Sequence, residues 1–124
     1  MARMARTEFE VTADDTAIAL GSGSVAVLGT PRVVAWLEAA TVAAAAPVLE
    51  TGQTTVGTSV RVAHHRPTPV GGRVTVTASA PEVDGRRMTF SVKAIDDSGE
   101  VVADGEIDRI VVDQAKFEAR AGVR

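Results

Sequence analysis

Among the side chains of this sequence that can move protons or activate water, four stand out: Thr30, Glu38, His64 and His65. A hydroxyl, a carboxylate and an imidazole are the parts of acid–base or nucleophilic hydrolysis. Glu38 sits in TPRVVAWLEAATVAAAA, Thr30 to Ala46, where nearly every residue past Arg32 is apolar. A buried carboxylate costs several kcal/mol, roughly, unless it is paired or protonated. It pairs with Thr41 or an arginine, or its face of the helix is exposed, or it is held at a pocket edge as base, water-orienting group or electrostatic partner. The two histidines are adjacent and end a strand, so at most one looks into the core. Their opposed faces argue against a shared metal ion, and the absence of cysteine excludes a thiolate site. Thr30 can cap the helix that follows it, or offer its hydroxyl to a ligand where the positive end of the helix favours an anion.

These groups must be positioned by one helix and a sheet. Thr30 as cap, Pro31 in the first helical position and Pro47 as terminator bound the helix, and its all-round apolar character predicts a buried rod. Ahead of it, Thr7–Val11 alternates as a short strand, Thr16–Leu20 reads as a second extended piece, and Gly21–Ser24 is a flexible loop without the Lys-Ser/Thr ending of a phosphate loop. Four longer strands follow. They run Thr54–His64, with Gly57 marking a bulge or close backbone approach, then Arg73–Val83, Arg87–Asp96 and Val101–Val112. Asp84-Gly85 and Asp97-Ser98-Gly99 are turns, and Arg86-Arg87 is a solvated hairpin end or a phosphate contact. The tail from Gln114 to Arg124 reads as a short helix around Phe117 or as disordered. One long helix and an antiparallel meander make an α+β domain spanning residues 1–124, and the sheet must wrap the helix because nothing else can cover it.

The formal net charge of -3, with scattered Lys and Arg, gives no footprint for nucleic acid. The apolar run is too short to span a membrane and is interrupted by Glu38. MARMARTEFE lacks the apolar stretch of a secretory signal, so a cytoplasmic location is expected.

The intervals between these residues resemble the hotdog-fold thioesterases of the fluoroacetyl-CoA thioesterase type. That family has a threonine at the start of the central helix and a glutamate eight residues later, as Thr30 and Glu38 stand here. It also has a Gly-Thr pair in the next strand and a histidine six residues on, matching Gly57-Thr58 and His64. The turn Pro67-Thr68-Pro69 with Gly71 and the hairpin Asp84-Gly85-Arg86-Arg87 match as well, so the resemblance covers Leu28 to Asp113. It implies a hotdog, a curved antiparallel sheet around one helix, forming a homodimer with sites at the interface that hydrolyse acyl-CoA without cofactor or metal. Carried over, Thr30, Glu38 and His64 form the catalytic group, and Gly57 and Thr58 contact substrate. His64 serves as general base or protonates the departing thiolate, Glu38 as nucleophile or water-orienting base, and Thr30 as a positioning donor. The sequence departs from the family at Ser24–Leu28, which lacks the aromatic of the fluoroacetyl-specific lid. It departs again at Gly105-Glu106-Ile107-Asp108-Arg109, where relatives often carry Gly-Thr-His-Glu-Arg. The rival expectation is a non-catalytic hotdog that binds an acyl or CoA-like ligand.

Overall fold

The computed structural model describes residues 3–124; Met1 and Ala2, which begin the stretch read as no secretory signal, lie outside the described residues. Six strands form one antiparallel sheet: β1 (Ala5–Glu10), β2 (Gln53–His64), β3 (Arg73–Ala78), β4 (Glu82–Asp84), β5 (Arg87–Asp96) and β6 (Val101–Asp113). Their order is β1-β3-β5-β6-β2, with β4 paired to β5. Three α-helices accompany them, α1 (Ala17–Leu20), α2 (Thr30–Ala45) and α3 (Gln114–Ala121). α2 touches β1, β2, β3, β5 and β6, so the sheet curves around it in the expected hotdog plan. Among the described residues no helix is long and apolar enough to cross a membrane.

The core is the seam between α2 and the concave face. Val33, Leu37, Ala40, Thr41, Ala44 and Ala45 recur at helical spacing and are buried, against Val74, Val76, Phe90 and Val92 of the sheet. Each large apolar side chain so buried contributes about 1.5–3 kcal/mol. Phe9 on β1 stacks flat on Trp36, with centroids 4.5 Å apart and planes 2° from parallel, closing the seam at one end.

The structure corrects several expectations. The helix is not buried all round: Ala35, Ala39, Val42 and Ala43 are exposed. A stripe of alanines is apolar in composition whichever way it faces, so the sequence cannot show that the sheet of one chain covers only one side. Thr16–Leu20 is not extended. Thr16 caps α1 by accepting the Ala19 N–H at 3.2 Å, and Gly21 stops it with φ of 71°. Only Thr16 itself keeps a bridge, to Leu28. Arg73–Val83 breaks after Ala78, because Pro81 removes a ladder donor, and resumes as β4. The tail is helical, capped by the Asp113 carboxylate, which accepts the Lys116 N–H at 3.0 Å.

β2 is the outer strand, and its free edge runs for 12 residues. Val60 lies on the face that looks toward α2, in register with buried Ile107, yet is 43% exposed. The register of β2 against β6 shifts between Gly57 and Ser59, which is the bulge expected near Gly57.

Candidate active site

Thr30 opens α2 and His64 ends β2, and the fold brings them together: Thr30 Oγ1 is 2.7 Å from His64 Nδ1. Thr30 is not the helix cap. Gly29 holds that position without a side-chain bond, so Pro31 is the second helical residue and the hydroxyl is left for His64. The chain before Thr30 is pinned on both sides. Ala17 N–H donates to the Val27 carbonyl at 2.9 Å, Gly29 N–H to the Asp15 carbonyl at 2.9 Å, and Leu28 N–H to the Thr68 carbonyl at 2.8 Å. His64 is held by its place on β2 opposite Ala103, and by the next residue, whose N–H donates to the Val102 carbonyl at 2.7 Å. His65 points to the other face and pairs with Asp104 at 2.7 Å in solvent. Among the described residues no group of three His, Cys, Asp or Glu side chains is arranged for a metal.

Burial is the main influence on the imidazole and pushes His64 below its ordinary 6.5, with His65 adding a smaller depression and the Arg66 backbone opposing. The ring is therefore neutral near pH 7, with one donor and one acceptor nitrogen. With the proton on Nε2, Nδ1 accepts the Thr30 O–H; with it on Nδ1, the ring donates to Oγ1. Nε2 is buried and lacks a hydrogen-bond partner among the described residues, as expected of a group kept for a reacting molecule.

Glu38 belongs to a second cluster. Its side chain is 39% exposed, at the rim rather than inside the core, and Oε2 is 3.7 Å from Arg109 Nη1. Thr41 does bond to this residue, but through the Glu38 backbone carbonyl at 2.6 Å, leaving the carboxylate free of it. Arg109 is buried and fixed to β2: Nε donates to Thr55 Oγ1 at 2.7 Å and Nη2 to the Thr55 carbonyl at 3.0 Å. Burial lowers the Arg109 pKa, and the Glu38 charge opposes that shift. Gly57 leaves room for this contact, since a Cβ there would lie 2.9 Å from Glu38 Oε2 and 3.3 Å from Arg109 Nη1. Thr58, in the bulge, donates to the Asp108 carbonyl at 3.3 Å. Gly57→Ala is accordingly expected to cost less than about 1 kcal/mol, because the carboxylate end can swing aside. It should lower kcat all the same, by moving that carboxylate; a thermal melt alongside steady-state turnover separates the two effects.

Sequence reading passed over Arg109 as a member of the site. The available signal was its register: it alternates with buried Ile107 on the inward face of β6, opposite Gly57. A charge at a core-facing strand position needs a partner.

Within one chain the clusters stay apart. Thr30 and Glu38 are eight residues along α2, about 12 Å, and Gly57 and His64 are separated by about 20 Å of strand.

The model of the fluoroacetyl-CoA-specific thioesterase family, FlK, matches residues 11–115. The chain belongs to this family. As a member of the fluoroacetyl-CoA-specific thioesterase family it is a thioester hydrolase. The solved fluoroacetyl-CoA thioesterase FlK is 32% identical to it, with a TM-score of 0.89 over 98% of this chain and 94% of that one. A mutant of FlK in complex with fluoroacetate and CoA is 33% identical, with a TM-score of 0.84 over 94% and 98%. A hot-dog-like protein from Thermanaerovibrio acidaminovorans is 26% identical, with a TM-score of 0.87 over 97% and 88%. No curated protein matches. In this family member, a cleft of about 320 Å³ opens beside Thr30 and His64, walled by Val25, Val27 and Leu28 and with Arg66 at its mouth. That volume is at the small end of ligand sites.

Proposed function

We propose that this protein is a homodimeric acyl-CoA thioesterase, with each site built from Thr30 and His64 of one copy and Glu38, Gly57 and Arg109 of the other. The observation that carries this reading is the 2.7 Å Thr30–His64 contact at the side of the cleft. The free edge of β2 and the exposed Val42 and Val60 support pairing with a second copy, since an uncovered apolar edge invites another strand. With Thr58 unpaired, Arg61 lies midway along the ladder between Gly57 and His64. Antiparallel pairing about that point sets Gly57 of one copy opposite His64 of the other, and Glu38 comes with Gly57.

In the resulting site the neutral His64 takes a proton from water as the water oxygen bonds to the thioester carbonyl carbon. Thr30 holds the ring by its hydroxyl, and Glu38 of the second copy orients the water. The carbon–sulfur bond then breaks, and the imidazolium returns its proton to the thiolate, giving a carboxylic acid and free CoA. The acyl end is met by Val25, Val27 and Leu28, which offer contact by shape and no aromatic stacking.

A thiol-release screen over short, long and aryl acyl-CoAs, run on the wild type and on Glu38→Gln, tests this. Turnover of at least one acyl-CoA is expected, with kcat reduced about 10²-fold in the variant. No thiol release from any thioester, with saturable binding instead, would overturn catalysis in favour of ligand binding. Equal turnover in both forms would remove Glu38 from the site.

A further inference from the structure

Under α3 lies a cleft of about 160 Å³ lined by Arg86, Val112, Asp113, Lys116, Phe117 and Arg120. Arg61, Arg73 and Arg109, among others, each have a carboxylate within 4.0 Å, but Arg86, Lys116 and Arg120 have none among the described residues. The single acid in the cleft, Asp113, is engaged in capping α3. Phe117 is 40% exposed between the cations. Three free cationic groups around an open aromatic face suit a phosphorylated nucleotide, with guanidiniums for phosphate and a ring for the base.

We infer that this cleft receives the phosphoadenosine end of the CoA thioester whose acyl group lies at the His64 site of the second copy; the inference rests on the dimeric thioesterase reading above. Reach decides which site it serves. The cleft adjoins the Gln53 end of β2, since Gln53 pairs with Asp113, whereas His64 is at the other end. Ten ladder steps separate the two, about 33 Å. The arm between thioester sulfur and the first phosphorus has as many bonds as four or five peptide residues and extends to about 15 Å. The cleft therefore cannot serve its own chain. Across the paired edge, Gln53 of the other copy is four steps beyond Gly57 and the cleft two strand spacings away, about 16 Å from His64 in all. That distance matches the arm.

The test is the triple variant Arg86→Ala, Lys116→Ala, Arg120→Ala, all at exposed positions. KM for an acyl-CoA should rise about tenfold or more with kcat nearly unchanged. KM for the same acyl group on pantetheine or N-acetylcysteamine, which carry no phosphate, should not move. An unchanged KM for acyl-CoA, or an equal rise on the truncated thioesters, overturns the inference. In a mixed dimer with one intact His64, the rise should follow the triple substitution on the opposite subunit; a rise only from the same subunit overturns the assignment across the interface. Should the wild type hydrolyse no thioester, the thioesterase reading fails by itself, and calorimetric titration with adenosine 3′,5′-bisphosphate still reads the cleft. Binding by the wild type that the triple variant loses supports it, and no binding by the wild type overturns it.

Discussion

His64→Ala is expected to lower kcat on a good acyl-CoA by about 10²-fold or more, with little change in the thermal midpoint. The ring is half-buried at a strand end and its side-chain hydrogen bond is to Thr30, so its removal opens a site to water and leaves the seam around Leu37 and Phe90 intact. Thr30→Ser keeps the hydroxyl and should retain most activity, whereas Thr30→Val should lose much of it at similar stability. The pH profile carries the same signature. Burial holds His64 below 6.5, so the acidic limb of kcat/KM should fall below that value, with a plateau through neutrality. The sign for stability agrees. The unfolded chain protonates this ring at a higher pH than the folded one, so the stability contributed by the neutral ring is complete above about 6.5 and is lost as pH falls toward the folded pKa. Turnover profiles and melts from pH 5 to 8 check both. An acidic limb above 6.5 would exclude His64 as the base.

Gly105→Ala should be the most damaging small substitution to the fold. Gly105 sits inside β6, between Val62 on β2 and Val92 on β5, with φ of 155°. A methyl group there would overlap the Arg61 carbonyl oxygen and come within 2.9 Å of Val62 Cα. Both obstacles are backbone, which cannot rotate away as a side chain can. Backbone strain and overpacking together suggest a loss of about 3 kcal/mol or more, read as a fall in the urea midpoint. Since His64 lies two residues beyond Val62 on β2, any variant that still folds should also lose turnover through displacement of that strand. An unfolding free energy within about 1 kcal/mol of the wild type would show that the sheet yields there.

Much of this architecture is legible in the residues. Pro31 and Pro47 bracket the helix, and the Thr- and Val-rich runs ending at His64 and Val112 mark the long strands. The misreading at Thr16–Leu20 has a physical cause: four residues are too few to display a period, and the capping signals of Thr16 and Gly21 outweigh the alternation. The exposed side of α2 was hidden because alanine carries no polar mark. The Thr30–Glu38–His64 intervals are visible in the chain, but their distribution into two clusters is not. That depends on which edge of the sheet β2 occupies, a tertiary property to which no local pattern refers. Arg109 was hidden for a related reason, since its importance comes from facing Gly57 across a strand pair.

The bulge at Gly57–Thr58 decides which of two histidines belongs to the site. Gly57 and His64 are an odd number of residues apart, so a regular strand would send them to opposite faces. The one unpaired residue restores the parity, leaving Gly57, Val60 and His64 on the concave side and His65 with Asp104 in solvent. Were Thr58 paired in regular register, the same strand would bring Ala63 and His65 to the concave side and turn His64 outward. The selection of the imidazole is therefore a matter of counting, made six residues before the histidine itself.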